Sequence, residues 1–224
     1  MTRHSKDDAL DDREFEHLLE GARALPEPRS FDARFIVLVA GRLGLRGGEI
    51  AHMREDWINW RKNCIEIPRY QKCTKGKDGN LCGYCIQRAE QKAQADTPMT
   101  YEEALDTMWS PKTKAGARQV PFDACTRASI MIERYFERDG IDRYPRSRTS
   151  INRRVSNAAE LAPNLSKSQV YPHCLRATAA SYYAARGLDV YALQGLMGWL
   201  RLKTAEVYIQ RSGEHTARKI RQIV

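Results

Sequence analysis

The stretch from Tyr171 to Tyr208 constrains this chain more than any other. It opens with Pro172 and then His173-Cys-Leu-Arg176, a histidine and an arginine three residues apart. That spacing puts both side chains on one face of a helix start, where free backbone N–H groups favour an anion. An apolar Ala-Thr-Ala-Ala-Ser-Tyr-Tyr run follows, reading as a buried helix in which Tyr182 and Tyr183 are packing residues. Leu196-Met-Gly-Trp199 comes next, and nine residues later an isolated tyrosine, Tyr208. Any fold for this stretch must place a polar cluster at the mouth of an apolar helical layer.

A chain of 224 residues can bury a substantial core. At 42% hydrophobic and 29% charged it has the composition of an ordinary soluble protein. Its apolar runs are far too short to cross a bilayer, and the polar first residues, Met1-Thr-Arg-His-Ser-Lys-Asp-Asp, have no signal-peptide core. A cytoplasmic protein is expected, with no membrane partner. The formal charge of +9 favours a polyanion, and nucleic acid is the commonest one. Arg146, Arg148, Arg153 and Arg154 concentrate that charge just before and within one helix.

Residues 1–10 read as a flexible N-terminus. Phe15, Leu18, Leu19 and Ala22 recur at helical spacing and predict a helix over 12–24, ended by Pro26 and Pro28. Asp32 is placed to cap a second helix over 33–43, broken at Gly44 and at Gly47-Gly48. Short strands are predicted at 57–60 and 64–67. Residues 110–121 read as two strand segments around a tight turn at Ala115-Gly116. Helices are expected over 101–108, 123–138 and 150–161, then through nearly all of 174–223. The fold class is mainly α with a small antiparallel β-sheet.

With Leu43-Gly-Leu-Arg46-Gly-Gly-Glu-Ile added, the chain resembles the tyrosine recombinase, or phage integrase, family. That pattern is an arginine after Gly-Leu, then His-x-x-Arg, then Gly-His or Gly-Trp, then a nucleophilic tyrosine. All four parts occur here in that order. The resemblance implies the catalytic-domain fold over 11–224, without the helical core-binding domain that usually precedes it. It implies site-specific DNA cutting and rejoining through a 3′-phosphotyrosyl link, on double-stranded DNA, by a homotetramer docked through the C-terminal helix at 214–223. The helix opened by the arginine cluster is then expected on DNA through Arg146, Arg148, Arg153 and Arg154. A DNA-binding regulator with little catalysis, or a type IB topoisomerase-like nicking and closing enzyme, are the alternatives.

The chemistry needs these residue types. A phenol with pKa near about 10 needs a proton acceptor or a cationic pocket before it attacks phosphorus. The planar forks of Arg46 and Arg176 match phosphate oxygens and stabilise charge growing on them. His173 suits proton transfer, and Trp199 can donate an N–H but exchange no proton. In the segment Pro111-Lys112-Thr113-Lys114-Ala-Gly-Ala-Arg118-Gln-Val-Pro121, resemblance to integrase hairpins selects Lys112 as donor to the leaving 5′-oxygen, with Lys114 an alternative two residues away. Glu49 is placed to anchor the arginine loop. No cofactor is needed for catalysis.

Residues 68–97 form an insertion carrying Gly76, Gly79, Gly83 and the cysteines Cys73, Cys82 and Cys85, with little apolar content. Without export signals, cysteines are reduced thiols or metal ligands. A structural zinc on Cys73, Cys82 and Cys85 would hold such a segment in shape, with Cys64 or a histidine as the fourth ligand; unliganded thiols in a loop are the plainer alternative.

Overall fold

Phe15, Leu18, Leu19 and Ala22 all face inward on α1 (Asp12–Ala24). Its start is fixed by a reciprocal cap: Glu14 N–H donates to Asp11 Oδ1 at 2.7 Å, and Asp11 N–H to Glu14 Oε2 at 2.9 Å. The computed structural model describes residues 7–95, 99–138, 140–211, 213, 217 and 220–221. The expected flexible N-terminus therefore lies mostly outside the described residues, as does most of the expected helix at 214–223.

The central helix is α2 (Arg29–Gly41), buried along most of its length and flanked by α1 and by α7 (Arg148–Leu161) and α8 (Pro172–Ala185). It begins earlier than its sequence suggests, and Asp32 does not cap it. That carboxylate lies buried in the first turn, where it accepts from the Tyr144 hydroxyl at 2.7 Å and from Arg154 Nε at 3.0 Å. A buried carboxylate with two such donors is better satisfied than a cap facing water.

The sheet has three antiparallel strands in the order β1 (Ile58–Asn59), β2 (Cys64–Ile67), β3 (Arg118–Pro121), with Ile65 opposite both Ile58 and Val120. Only the second half of the predicted 110–121 hairpin is a strand. Residues Lys114–Gly116 form a single tight helical turn, and Pro111 packs against Gly116 where a Cβ would clash at 2.5 Å. The insertion holds an unpredicted helix, α4 (Gly83–Ala93), beside the short α5 (Tyr101–Asp106). Then come α6 (Thr126–Glu133), continued by one wider turn to Arg138, and α9 (Val190–Met197) and α10 (Leu202–Arg211). Most of the chain shares one apolar core; a smaller cluster of Ala179, Ala180, Ala184, Leu193, Met197 and Ala205 joins α8, α9 and α10. Among the described residues, no helix is long and apolar enough to cross a membrane.

Candidate active site

A helix leaves its last carbonyls without intrahelical partners. At the end of α9 three guanidiniums take them in succession. Arg118 Nε donates to Leu196 O at 2.7 Å, Arg176 Nη2 donates to Met197 O, and Arg46 Nη2 donates to Gly198 O at 2.9 Å. These arginines come from β3, from α8 and from the residue before α3 (Gly47–His52). Gly198 makes the convergence possible: its φ is +57°, and a Cβ there would lie 2.6 Å from Ala115 O and 2.9 Å from Arg118 Cδ. Gly44, at φ +69°, offers its own carbonyl to Arg176 Nη1.

One buried carboxylate ties the set together. Glu49 Oε1 accepts from Arg46 Nη1 at 2.7 Å and Arg118 Nη1 at 2.9 Å; Oε2 accepts from Arg118 Nη2 at 3.1 Å and the Arg46 N–H at 2.8 Å. Burial alone would raise its pKa, but the charge and hydrogen bonds of Arg118, with Arg176 and Arg46 behind, offset that and hold the carboxyl down at about 2. Arg176 is only 2% exposed. Burial first, then Arg46 and Arg118, push its pKa well below the ordinary arginine value, against the pull of Glu49. These cations are thus under-compensated, a state that an incoming anion relieves.

Arg46, Lys112, His173 and Arg176 line one cleft of about 500 Å³. Lys112 is exposed there, whereas Lys114 lies off the lining. The imidazole of His173 has its pKa lowered, by partial burial and then by Arg176, Arg46 and Lys112, which favours the neutral ring. Trp199 and Tyr208 sit beside this cleft rather than in its wall. Their rings stack with centroids 5.2 Å apart and planes 14° apart, and the Arg176 guanidinium lies 5.8 Å from the Trp199 ring. Tyr208 is half-buried against the smaller apolar cluster. Burial raises its phenol pKa, with Arg176 pulling the other way and Asp7 adding to the rise.

The arginine cluster divides. Arg146 and Arg153 are exposed, and exposed Arg148 reaches the cleft and lies 5.1 Å from the Tyr84 ring. Arg154 departs from its expected place: it turns inward to the buried Asp32, which draws it from the surface. Cys73, Cys82 and Cys85 lie together, and the fourth group beside them is His52, the last residue of α3. Cys64 lies elsewhere, on β2 opposite Pro121. Tyr84, Arg118 and His52 escape the sequence reading as site residues. Arg118 had a signal in its place in the lysine-containing segment, which gave it no role, and His52 had one only as the unspecified histidine weighed as a fourth ligand.

Residues 8–215 match the model of the phage integrase family. No curated protein matches the sequence. Among solved structures, that of XerA recombinase is similar with a TM-score of 0.59 at 18% identity, covering 96% of this chain and 64% of that one. The Tn1549 transposon integrase in complex with a circular intermediate DNA gives 0.64 at 15% identity, covering 96% and 65%. The same integrase with transposon right end DNA gives 0.61 at 15%, again covering 96% and 65%. The chain spans about 64–65% of the length of these proteins, and at such identities the likeness is one of fold.

Proposed function

The chain belongs to the phage integrase family, and from that premise we propose that it cuts and rejoins double-stranded DNA through a 3′-phosphotyrosyl link on Tyr208. The observation that carries this reading is the capping of successive α9 carbonyls by Arg118, Arg176 and Arg46. Two of these guanidiniums, Arg46 and Arg176, also line the cleft, and each has donors left over for phosphate oxygens.

In the proposed cycle the Tyr208 oxygen attacks a backbone phosphorus and its proton passes toward His173, whose neutral form is favoured by burial and then by its cationic neighbours. Arg46 and Arg176 stabilise the negative charge that grows on the non-bridging oxygens, and the Trp199 indole N–H adds a donor. Lys112 gives a proton to the departing 5′-oxygen. A 5′-hydroxyl then attacks the same phosphorus and gives its proton back to Lys112, the Tyr208 oxygen leaves and takes its proton back from His173, and the backbone is restored. Phosphate entry places an anion beside Arg46, Arg176 and Lys112 in the cleft, next to the pairing of Arg46 and Arg118 with Glu49. Because Tyr208 lies beside the cleft, a shift of α10 is part of the attack. Exposed Arg146, Arg148 and Arg153 would hold flanking phosphates, giving salt-sensitive affinity with little sequence information. Assembly as a tetramer through 214–223 belongs to the same reading.

The test is covalent capture on nicked duplexes, selected for binding from a random-sequence library. Wild type is expected to give a DNA adduct that survives denaturation and protease-maps to Tyr208, while Tyr208→Phe gives none. Equal adduct in both would remove Tyr208 from the mechanism.

A further inference from the structure

The insertion has almost no core of its own. Over residues 68–95 only Cys73, Cys85 and Ala89 are buried, so apolar burial is too slight to fix the path of the segment. Its cysteine sulfurs converge instead on one imidazole from outside the insertion. We infer that His52, Cys73, Cys82 and Cys85 bind a single zinc ion, a structural centre that clamps the insertion onto α3.

The four ligand atoms lie within 4.8 Å of one another. His52 Nε2 is 3.4 Å from Cys82 Sγ and 3.3 Å from Cys85 Sγ. Tetrahedral zinc, with bonds of about 2.3 Å to sulfur and 2.0–2.1 Å to nitrogen, requires N···S edges of about 3.6 Å. Shifts of about a few tenths of an ångström therefore bring these groups to ligating distance. The other ring nitrogen is already committed: Nδ1 lies 2.9 Å from Gly48 O, and the tautomer that donates there leaves the Nε2 lone pair facing the sulfurs. Metal-bound histidines are oriented in this way. Trp109 stacks on the imidazole at 5.3 Å and 17°, covering it from solvent. Cys82 immediately precedes α4 and Cys85 lies in its first turn, so the Cys-x-x-Cys pair is presented by the start of one helix.

The donor set selects the ion. Three thiolates and one imidazole make a closed zinc site, whereas iron–sulfur clusters ordinarily take four thiolates. Zinc with three thiolates carries one net negative charge, and Lys75 stands within electrostatic reach of all three sulfurs. The ammonium is itself fixed by the carbonyls of Tyr144 at 2.8 Å and Arg146 at 2.7 Å. The clamp bears on the cleft because α3 carries Glu49 and follows Arg46, and α4 carries Tyr84. A Cβ on Gly48 would lie 2.9 Å from the Tyr84 hydroxyl, so that ring sits directly on α3 in the cleft wall. This role is positional, and its test needs no strand transfer.

Metal content of the full chain, purified without added metal or chelator, decides the matter. Native mass spectrometry is expected to show about one zinc per chain in wild type and in Cys64→Ser. Cys82→Ser and His52→Ala should each weaken zinc at least about 100-fold in competition with a chromophoric chelator, while His52→Cys, which keeps a four-ligand set, retains it. Cobalt(II) reconstitution of wild type should give the intense visible bands of a tetrahedral thiolate site, an observation that stands even if a variant fails to fold. Metal-free wild type, a disulfide among the three cysteines, zinc kept by both Cys82→Ser and His52→Ala, or an octahedral-type cobalt spectrum would overturn the inference.

Discussion

Two polar clusters less than a helix apart solve the same problem in opposite ways. Around Glu49, the guanidiniums of Arg46, Arg118 and Arg176 are gripped by a carboxylate and by carbonyls from several elements, set on a continuous apolar core. Around His52, three sulfurs meet an imidazole at the edge of a segment with scarcely any buried side chains. The first cluster is completed by folding and left with surplus positive charge. The second, on the zinc inference above, would be completed by an ion. The contrast teaches that one short helix, α3, ties a cluster of guanidiniums to a cluster of thiols, since Glu49 and His52 both lie on it.

The comparison breaks first at Glu49. Glu49→Gln leaves three guanidiniums facing one another in a buried space and should cost about 3–5 kcal/mol in urea unfolding at neutral pH. Its pH signature follows from the sign of the shift. The folded carboxyl, at about 2, lies below the unfolded value of about 4.3, so its contribution is complete above the latter and is lost as pH falls toward about 2. The Gln variant should lack that acid-side loss; an unchanged acid limb would show that Glu49 does not carry it. Next is Arg176→Ala, expected to slow covalent-adduct formation by about 10²–10³-fold, in the range for removing one preorganised donor, while zinc stays bound. Loss of zinc in that variant would show that the clusters are one cooperative unit.

A third contrast lies within one helix. Arg154→Ala strips a hydrogen-bonded partner from buried Asp32 and should cost about 1–3 kcal/mol of stability. Arg153→Ala, on the exposed face, should leave stability unchanged and lower the salt slope of DNA binding by about one. The reverse outcome would exchange their roles. The smallest effect concerns His173. Its folded pKa is depressed, so its contribution to stability is present above about 6.5 and is lost as pH falls through the folded value. By NMR its ring should titrate below about 6.5 in free protein and move upward when phosphate-containing DNA screens the arginines. A midpoint at or above the ordinary value would remove the cationic field from the account.

Where periodicity and caps agree, the elements were legible in residue order. Asp11 and Glu14 flank the apolar stripe of α1, and Pro172 opens α8 just before His173 and Arg176. Helix α4 escaped because its buried face is only Cys85 and Ala89, too thin a stripe to register among glycines and lysines. The first half of the predicted hairpin failed because Pro111 packs on Gly116 and the backbone turns helically at Lys114. Arg154 could not be told from Arg153 in the sequence, since what separates them is Asp32, on another helix.

The sequence by itself determined the helical layers, the reactive residue types and the order in which they occur, because periodicity, capping and side-chain chemistry are local properties. Only the tertiary structure decided that His52 joins the cysteines, that Arg118 shares Glu49 with Arg46, and that Tyr208 stacks on Trp199 beside the cleft. For the first two, the partners lie on separate elements, and their distances are set by how α3, β3, α4 and α9 pack; no spacing along the chain encodes them. For Tyr208, chain spacing marked the residue, but where its ring rests depends on how α10 settles against α8 and α9.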